Sequence, residues 1–156
     1  MTRTYPNGPK TGWLSQANQI ANGIIPTSES DIPLLLCWLK DMNWPGATEI
    51  ACHLRKFGRT MLPHIVDVLT SNDLIWARGV LDVYYDAFDR DFWELLRPYL
   101  EQYAFTIDAE GLHISCLRVL AKYNLCQLDI IKTSVEKMKK THGVDPSDYH
   151  TIEALL

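Results

Sequence analysis

Trp38-Leu39-Lys40-Asp41-Met42-Asn43-Trp44-Pro45 is the stretch whose layout decides the fold. An apolar helical stripe runs into it through Leu35, Trp38, Leu39 and Met42. Asn43 is a residue type that caps a helix start, and Pro45 suits the first turn of a new helix, where a missing amide costs little. About 30 residues on, Leu69-Thr70-Ser71-Asn72-Asp73-Leu74-Ile75-Trp76 repeats the arrangement of helix end, polar turn and nearby tryptophan. Helix pairs recurring at such a period form α-solenoids, whose common task is to hold another macromolecule.

The surrounding chain supports a helical reading. With 156 residues, 47% of them hydrophobic, it is long enough to bury a core without disulfides or metals. From residue 29 onward, apolar residues recur at helical spacing. Ala47, Ile50, Ala51, Leu54 and Phe57 form one stripe, which Gly58 ends. Met61, Leu62, Ile65 and Leu69 form the next, with Pro63 in its first turn. Leu74, Ala77, Leu81, Tyr84 and Phe88 make the cleanest seam. Phe92, Leu96, Tyr99 and Tyr103 follow, with Pro98 expected to kink or stop their helix. Leu112, Cys116, Val119 and Tyr123 come next, then Leu128, Ile131, Val135 and Met138 ahead of Lys137, Lys139 and Lys140, cations that suit a helix C-terminus. Gly143 and Pro146 break this last run, and a short helix closes the chain. Ser30 or Asp31 is the expected cap of the first repeat helix, with Pro33 in its first turn. The expected architecture is all-α, a HEAT-like α-solenoid of about four antiparallel helix pairs over residues 29–156. Residues 1–28 are expected to be an N-terminal arm, loose over residues 1–12, and a capping helix carrying Trp13, Ala17, Ile20 and Ile24.

The turn phrase, together with Pro63-His64-Ile65, Val68-Leu69-Thr70-Ser71-Asn72-Asp73 and Trp76, resembles an uncharacterised bacterial family, domain of unknown function 5071. The resemblance covers residues 31–90. Residues 63–88 also resemble the HEAT pattern, with a proline-bearing first helix, Asp73 in the turn and Arg78 on the second helix. The family brings no catalytic residues to carry over. Small bacterial domains of this kind are similar to the immunity proteins of polymorphic toxin systems, a likeness of class and not of motif.

Charge narrows the partners. A net charge of −4 is unlike a protein that wraps nucleic acid, which needs a basic face. It fits a basic protein partner better. The strongest candidate surface is the acidic, tyrosine-bearing stretch from Asp82 to Glu94. Asp82 and Asp86 stand four apart on the face opposite the buried seam, Tyr85 lies beside them, and Asp89, Asp91 and Glu94 extend the charge. Trp76 lies off the seam, either packed against the neighbouring repeat, the reading favoured here, or set at its edge. Tyr is a preferred interface anchor, and complementary charge speeds association. Two plainer roles compete: Asp89 and Asp91 as caps of the next helix, and Asp82 and Asp86 as solvated surface. Trp38 and Trp44 form either an aromatic platform or, the reading favoured here, a staple across the turn.

No catalytic motif, metal-ligand frame or cofactor signature is expected. His113 and Cys116 share a helical face but lack the further ligands zinc needs, so core packing is expected of both. His53 and His64 form no pattern, and His142 and His150 are expected at the surface. Cys37, Cys52, Cys116 and Cys126 lack paired spacing; Cys37, Cys52 and Cys116 fall in apolar helical patterns, as buried thiols of a reduced protein do. No membrane-length apolar run and no signal-type leader is present, so a cytoplasmic protein is expected. The leading functional expectation is a protein-binding module, an immunity protein that occludes a basic toxin domain, with no nucleic-acid and no membrane partner. A HEAT-like DNA-repair-type enzyme and an assembly scaffold are the alternatives.

Overall fold

A computed structural model describes residues 4–156; residues 1–3 of the expected arm lie outside the described residues. The chain divides into two compact units, Met1–Ala87 and Phe88–Leu156. Both are all-helical, with no strand among the described residues. No helix among them is long and apolar enough to cross a membrane.

In the first unit a 3-10 turn at Lys10–Gly12 leads into α1 (Trp13–Ala21), whose inward residues are Ala17 and Ile20. Ile24, expected on the same stripe, lies beyond the helix end and is exposed, because the helix stops at Ala21. Two residues ahead of α1, Thr4 and Tyr5, are tied down. Gln16 Nε2 donates to the Tyr5 carbonyl at 2.7 Å, and Thr4 donates through its hydroxyl to Asp31 at 3.2 Å. A 3-10 turn at Glu29–Asp31 opens α2 (Ile32–Leu36), with Pro33 in its first turn as expected. Asp31 holds the N-cap position of α2, one of the two caps expected, and Ser28 caps the 3-10 turn before it: the Ser28 amide donates to Asp31 Oδ2 at 2.8 Å, so Asp31 is also the third residue of a capping box. The Ser28 amide is the main reason the Asp31 carboxyl sits below its ordinary value, with burial opposing it.

The helix entering the opening phrase tightens at Cys37–Lys40 into a 3-10 turn. α3 (Ala47–Leu54) then starts at Gly46, not at Asn43, and packs on both α1 and α2. A second 3-10 stretch, Arg55–Met61, leads into α4 (Leu62–Leu69), whose early Pro63 is tolerated as anticipated. α5 (Leu74–Tyr84) packs on α4 and on the 3-10 turn at Cys37–Lys40. Its end is held by two bonds. Tyr84 donates to the Ala51 carbonyl at 3.1 Å, and Arg55 donates to the Val83 carbonyl at 3.2 Å.

Gly46 is the tightest point of this unit. Its φ of 93° lies in the left-handed region, and a Cβ there would stand 2.4 Å from Ala17 Cβ and 3.0 Å from a ring carbon of Trp38. Any side chain would be strained by its backbone and would drive α1 off α3 at once. Around this point the tryptophans interlock. Trp38 is fully buried and donates its indole N–H to the Thr4 carbonyl at 2.8 Å. Trp13 meets Trp38 edge-on at 6.1 Å and Trp44 at 5.1 Å. The staple expected of Trp38 and Trp44 is therefore a three-ring cluster with Trp13 at its centre.

In the second unit α6 (Arg90–Ala104) runs through Pro98 without stopping. Pro98 is exposed, while Phe92, Trp93, Leu96, Leu100 and Ala104 form a continuous buried stripe that holds the helix together on either side of it. Packing outweighs the lost amide bond. α7 (Leu112–Lys122) packs on α6, and α8 (Leu128–Lys139) ends in the cations Lys137 and Lys139. A 3-10 turn at Pro146–Tyr149 and α9 (His150–Glu153) return to α7 and α8.

Asp108 organises this unit. Its carboxylate accepts the Leu112 amide at 3.0 Å and the His113 amide at 2.8 Å, which supplies the cap that Gly111 lacks. It also receives His113 Nδ1 at 2.8 Å, and His113 Nε2 meets the Tyr149 hydroxyl at 2.9 Å. Burial pushes the Asp108 carboxyl up, but the amide and imidazole of His113 and the Leu112 amide together bring it below its ordinary value. Burial, with Asp148 and Asp108, raises Tyr149. His113 and Cys116 are core residues, as their spacing implied.

Two outcomes are expected. Gly46→Ala should lower stability by about 2–4 kcal/mol, combining left-handed strain with overpacking, read as a shifted urea midpoint. Asp108 has a depressed folded pKa, so its stabilisation is present above the unfolded value near pH 4 and lost as pH falls through the folded one. Asp108→Asn should therefore cost about 1.5–3 kcal/mol at pH 7, with the gap to the unmodified chain closing below roughly pH 4 in urea titrations.

Candidate functional site

The candidate surface is the outer side of α5. Asp73 caps the helix, accepting the Trp76 amide at 3.0 Å, and Ala77, Val80, Leu81 and Tyr84 face the core. That leaves Ile75, Arg78 and Asp82 outward, Ile75 being 55% exposed. Gly79 sits among them. A glycine inside a helix costs about 1 kcal/mol against alanine, so its presence points to a packing reason. A Cβ on Gly79 would stand 3.1 Å from the Leu39 carbonyl oxygen. The missing side chain thus lets α5 lie close against the opening phrase.

Between them runs a groove of about 490 Å³, lined by Leu39, Lys40, Asp41, Met42 and Asn43 on one side and by Ile75, Arg78, Gly79, Asp82 and Val83 on the other. Trp76 donates its indole N–H to the Leu36 carbonyl at 2.8 Å, and the groove-lining Lys40 holds its Nζ 4.7 Å from the Trp76 ring centroid. The floor is apolar and the rims carry both signs of charge. Such a surface recognises shape and charge together.

The expected site residues come from both units. Trp76, Asp82, Tyr85 and Asp86 belong to the first unit, and Asp89, Asp91 and Glu94 to the second. Trp76 is half-buried and structural through its indole bond. Asp82 lies 3.5 Å from Arg78 one turn earlier on the same helix, both partly exposed, a pair worth little to stability. Tyr85 is half-buried at the helix end and Asp86 is exposed. In the second unit Asp89 caps α6, accepting the Phe92 amide at 2.8 Å, and Asp91 lies exposed in the first turn. Glu94 sits between Arg90 at 3.5 Å and Arg97 at 3.1 Å.

The polar turn of the opening phrase, whose tryptophans favour a staple over a binding platform, forms half of the groove. The signal for this was Gly79, conspicuous inside an apolar helix. Among the described residues no group of three or more His, Cys, Asp or Glu is placed to hold a metal ion. The four cysteines form no disulfide; Cys116 is buried, but Cys52, expected inside, is exposed because the α3 stripe of Ala47, Ile50, Ala51 and Leu54 turns it outward. Burial raises the Cys37 thiol despite Lys40. His53 is buried, bonded to Thr27 at 2.8 Å, and its pKa is lowered by burial and then by Lys56.

The profile of the family described as domain of unknown function (DUF5071) matches residues 14–112, more than half the chain and wider on both sides than the span carrying the resemblance. No curated protein matches the chain.

Trp76→Phe keeps the ring but removes the bond to Leu36, and should cost about 0.5–1.5 kcal/mol. Trp76→Ala should cost more, about 3–5 kcal/mol, since it also empties the ring's place between α2 and α5. Paired denaturation curves of the two variants check the order.

Proposed function

The chain belongs to that family, and we propose that it is a protein-binding module: an immunity protein that neutralises a bacterial polymorphic toxin by occluding it. In this reading the helices stack as a HEAT-like α-solenoid of about four antiparallel pairs. The partner is a basic toxin domain, met by an acidic surface that carries Tyr85. The observation that carries the proposal is the α5 surface, where an apolar groove with exposed Ile75 is lined by Asp41 and Asp82, and Asp86 is exposed just past the end of the same helix. Exposed aliphatic area next to rim carboxylates is the composition of an interface with a charged partner.

Occlusion requires no chemistry from this chain. Apolar contact in the groove would supply affinity, while Asp82 and Asp86 would steer the encounter and set its salt dependence. Asp89 caps α6 and Glu94 pairs with Arg90 and Arg97, so the proposal weights the α5 residues above them.

The test is co-expression with the product of the adjacent gene. It should rescue growth, and the purified pair should associate. Replacing Asp82, Tyr85 and Asp86 with Lys, Ala and Lys should weaken that association by about 2 kcal/mol or more, roughly 30-fold, with the helical circular-dichroism signal unchanged. No protection and no complex, or unchanged affinity in the triple variant, would count against the proposal.

A further inference from the structure

The three-tryptophan cluster does more than pack. Trp13 and Trp44 meet with centroids 5.1 Å apart and planes 67° to each other, which makes a corner of two ring faces. Both rings are only half-buried. The corner is held rigid: Trp13 donates its indole N–H to the Gly8 carbonyl at 3.0 Å and leans edge-on against buried Trp38. A cation already stands there. Lys10 Nζ lies 5.7 Å from the centroid of Trp13 and 5.7 Å from that of Trp44. Lys10 is exposed and has no ion-pair partner among the described residues.

A lysine ammonium is strongly hydrated, and no carboxylate pairs with this one to replace its water. Ring faces alone suit a cation that sheds water more cheaply and offers methyl groups to the indoles. Aromatic corners take quaternary and methylated ammonium groups for this reason. We propose that the corner of Trp13 and Trp44 is a binding site for a methylated alkylammonium group, occupied in the free chain by Lys10 as an internal stand-in. The site shares no lining residue with the α5 groove and stands without the toxin-binding proposal. Its ligand arrives either as a methylated lysine on a partner or as a choline-type group.

The full chain and its Lys10→Met variant are titrated with tetramethylammonium chloride against sodium chloride of equal ionic strength. The indole N–H resonances of Trp13 and Trp44 are followed by NMR. Removing the competing cation should tighten tetramethylammonium binding roughly three- to tenfold. Adding Trp44→Leu to Lys10→Met should abolish the saturable shift. Lys10→Gln is the second variant, read by the same criteria, should Lys10→Met fail to give the native circular-dichroism spectrum. Choline and a short trimethyllysine peptide then distinguish the two sources, a tighter fit by either supporting the site. A folded variant that shows no saturable shift beyond sodium chloride, or that binds no tighter than the unmodified chain, overturns the proposal.

Discussion

The first unit depends on an absence of atoms at Gly46. α1, Trp38 and the start of α3 converge on that one backbone position, and a Cβ would overlap Ala17. Close-packed interiors do not absorb such an overlap by small adjustments, so the residue and the helix arrangement stand or fall together. The left-handed backbone at Gly46 also turns the chain from the opening phrase into α3. One glycine therefore sets both the direction of the chain and the distance between two helices. The tryptophan cluster exists because that distance is short.

A second glycine shapes the surface. Gly79 weakens α5 in isolation, yet it brings that helix against the Leu39 carbonyl and creates the groove. Packing and binding surface thus share one cause. The second unit is organised differently, through charge. Asp108 caps α7, orients His113 and, through it, fixes Tyr149 and the chain's last helix. A buried polar chain of this kind is stable because each member has a partner. Removing one would leave the others buried without theirs.

Several details lay beyond sequence reading, each for a physical reason. Pro98 reads locally as a helix breaker, but the buried stripe on both sides of it belongs to tertiary packing and keeps α6 whole. Cys52 reads as core because cysteine is usually buried, and only the true phase of α3 turns it outward. The 3-10 turn that Ser28 caps ahead of α2 is not legible locally, because nothing in the pattern separates Ser28 from Ser30. Asp89 as a cap was legible, since an Asp three residues before an apolar helix position has that role as a standard option.

By itself the sequence determined the helical class, most helix positions, the family, and the packing roles of Trp38, Ala77, Leu81 and Tyr84. These follow from periodicity and cap chemistry, which act over a few residues. Only the tertiary structure decided which distant pieces meet. It set Trp13 between Trp38 and Trp44, closed the opening phrase against α5 to make a groove, and joined Asp108 to Tyr149 through His113. Such meetings depend on distances between helices, and those are fixed by side-chain volume, down to the missing Cβ of Gly46 and Gly79.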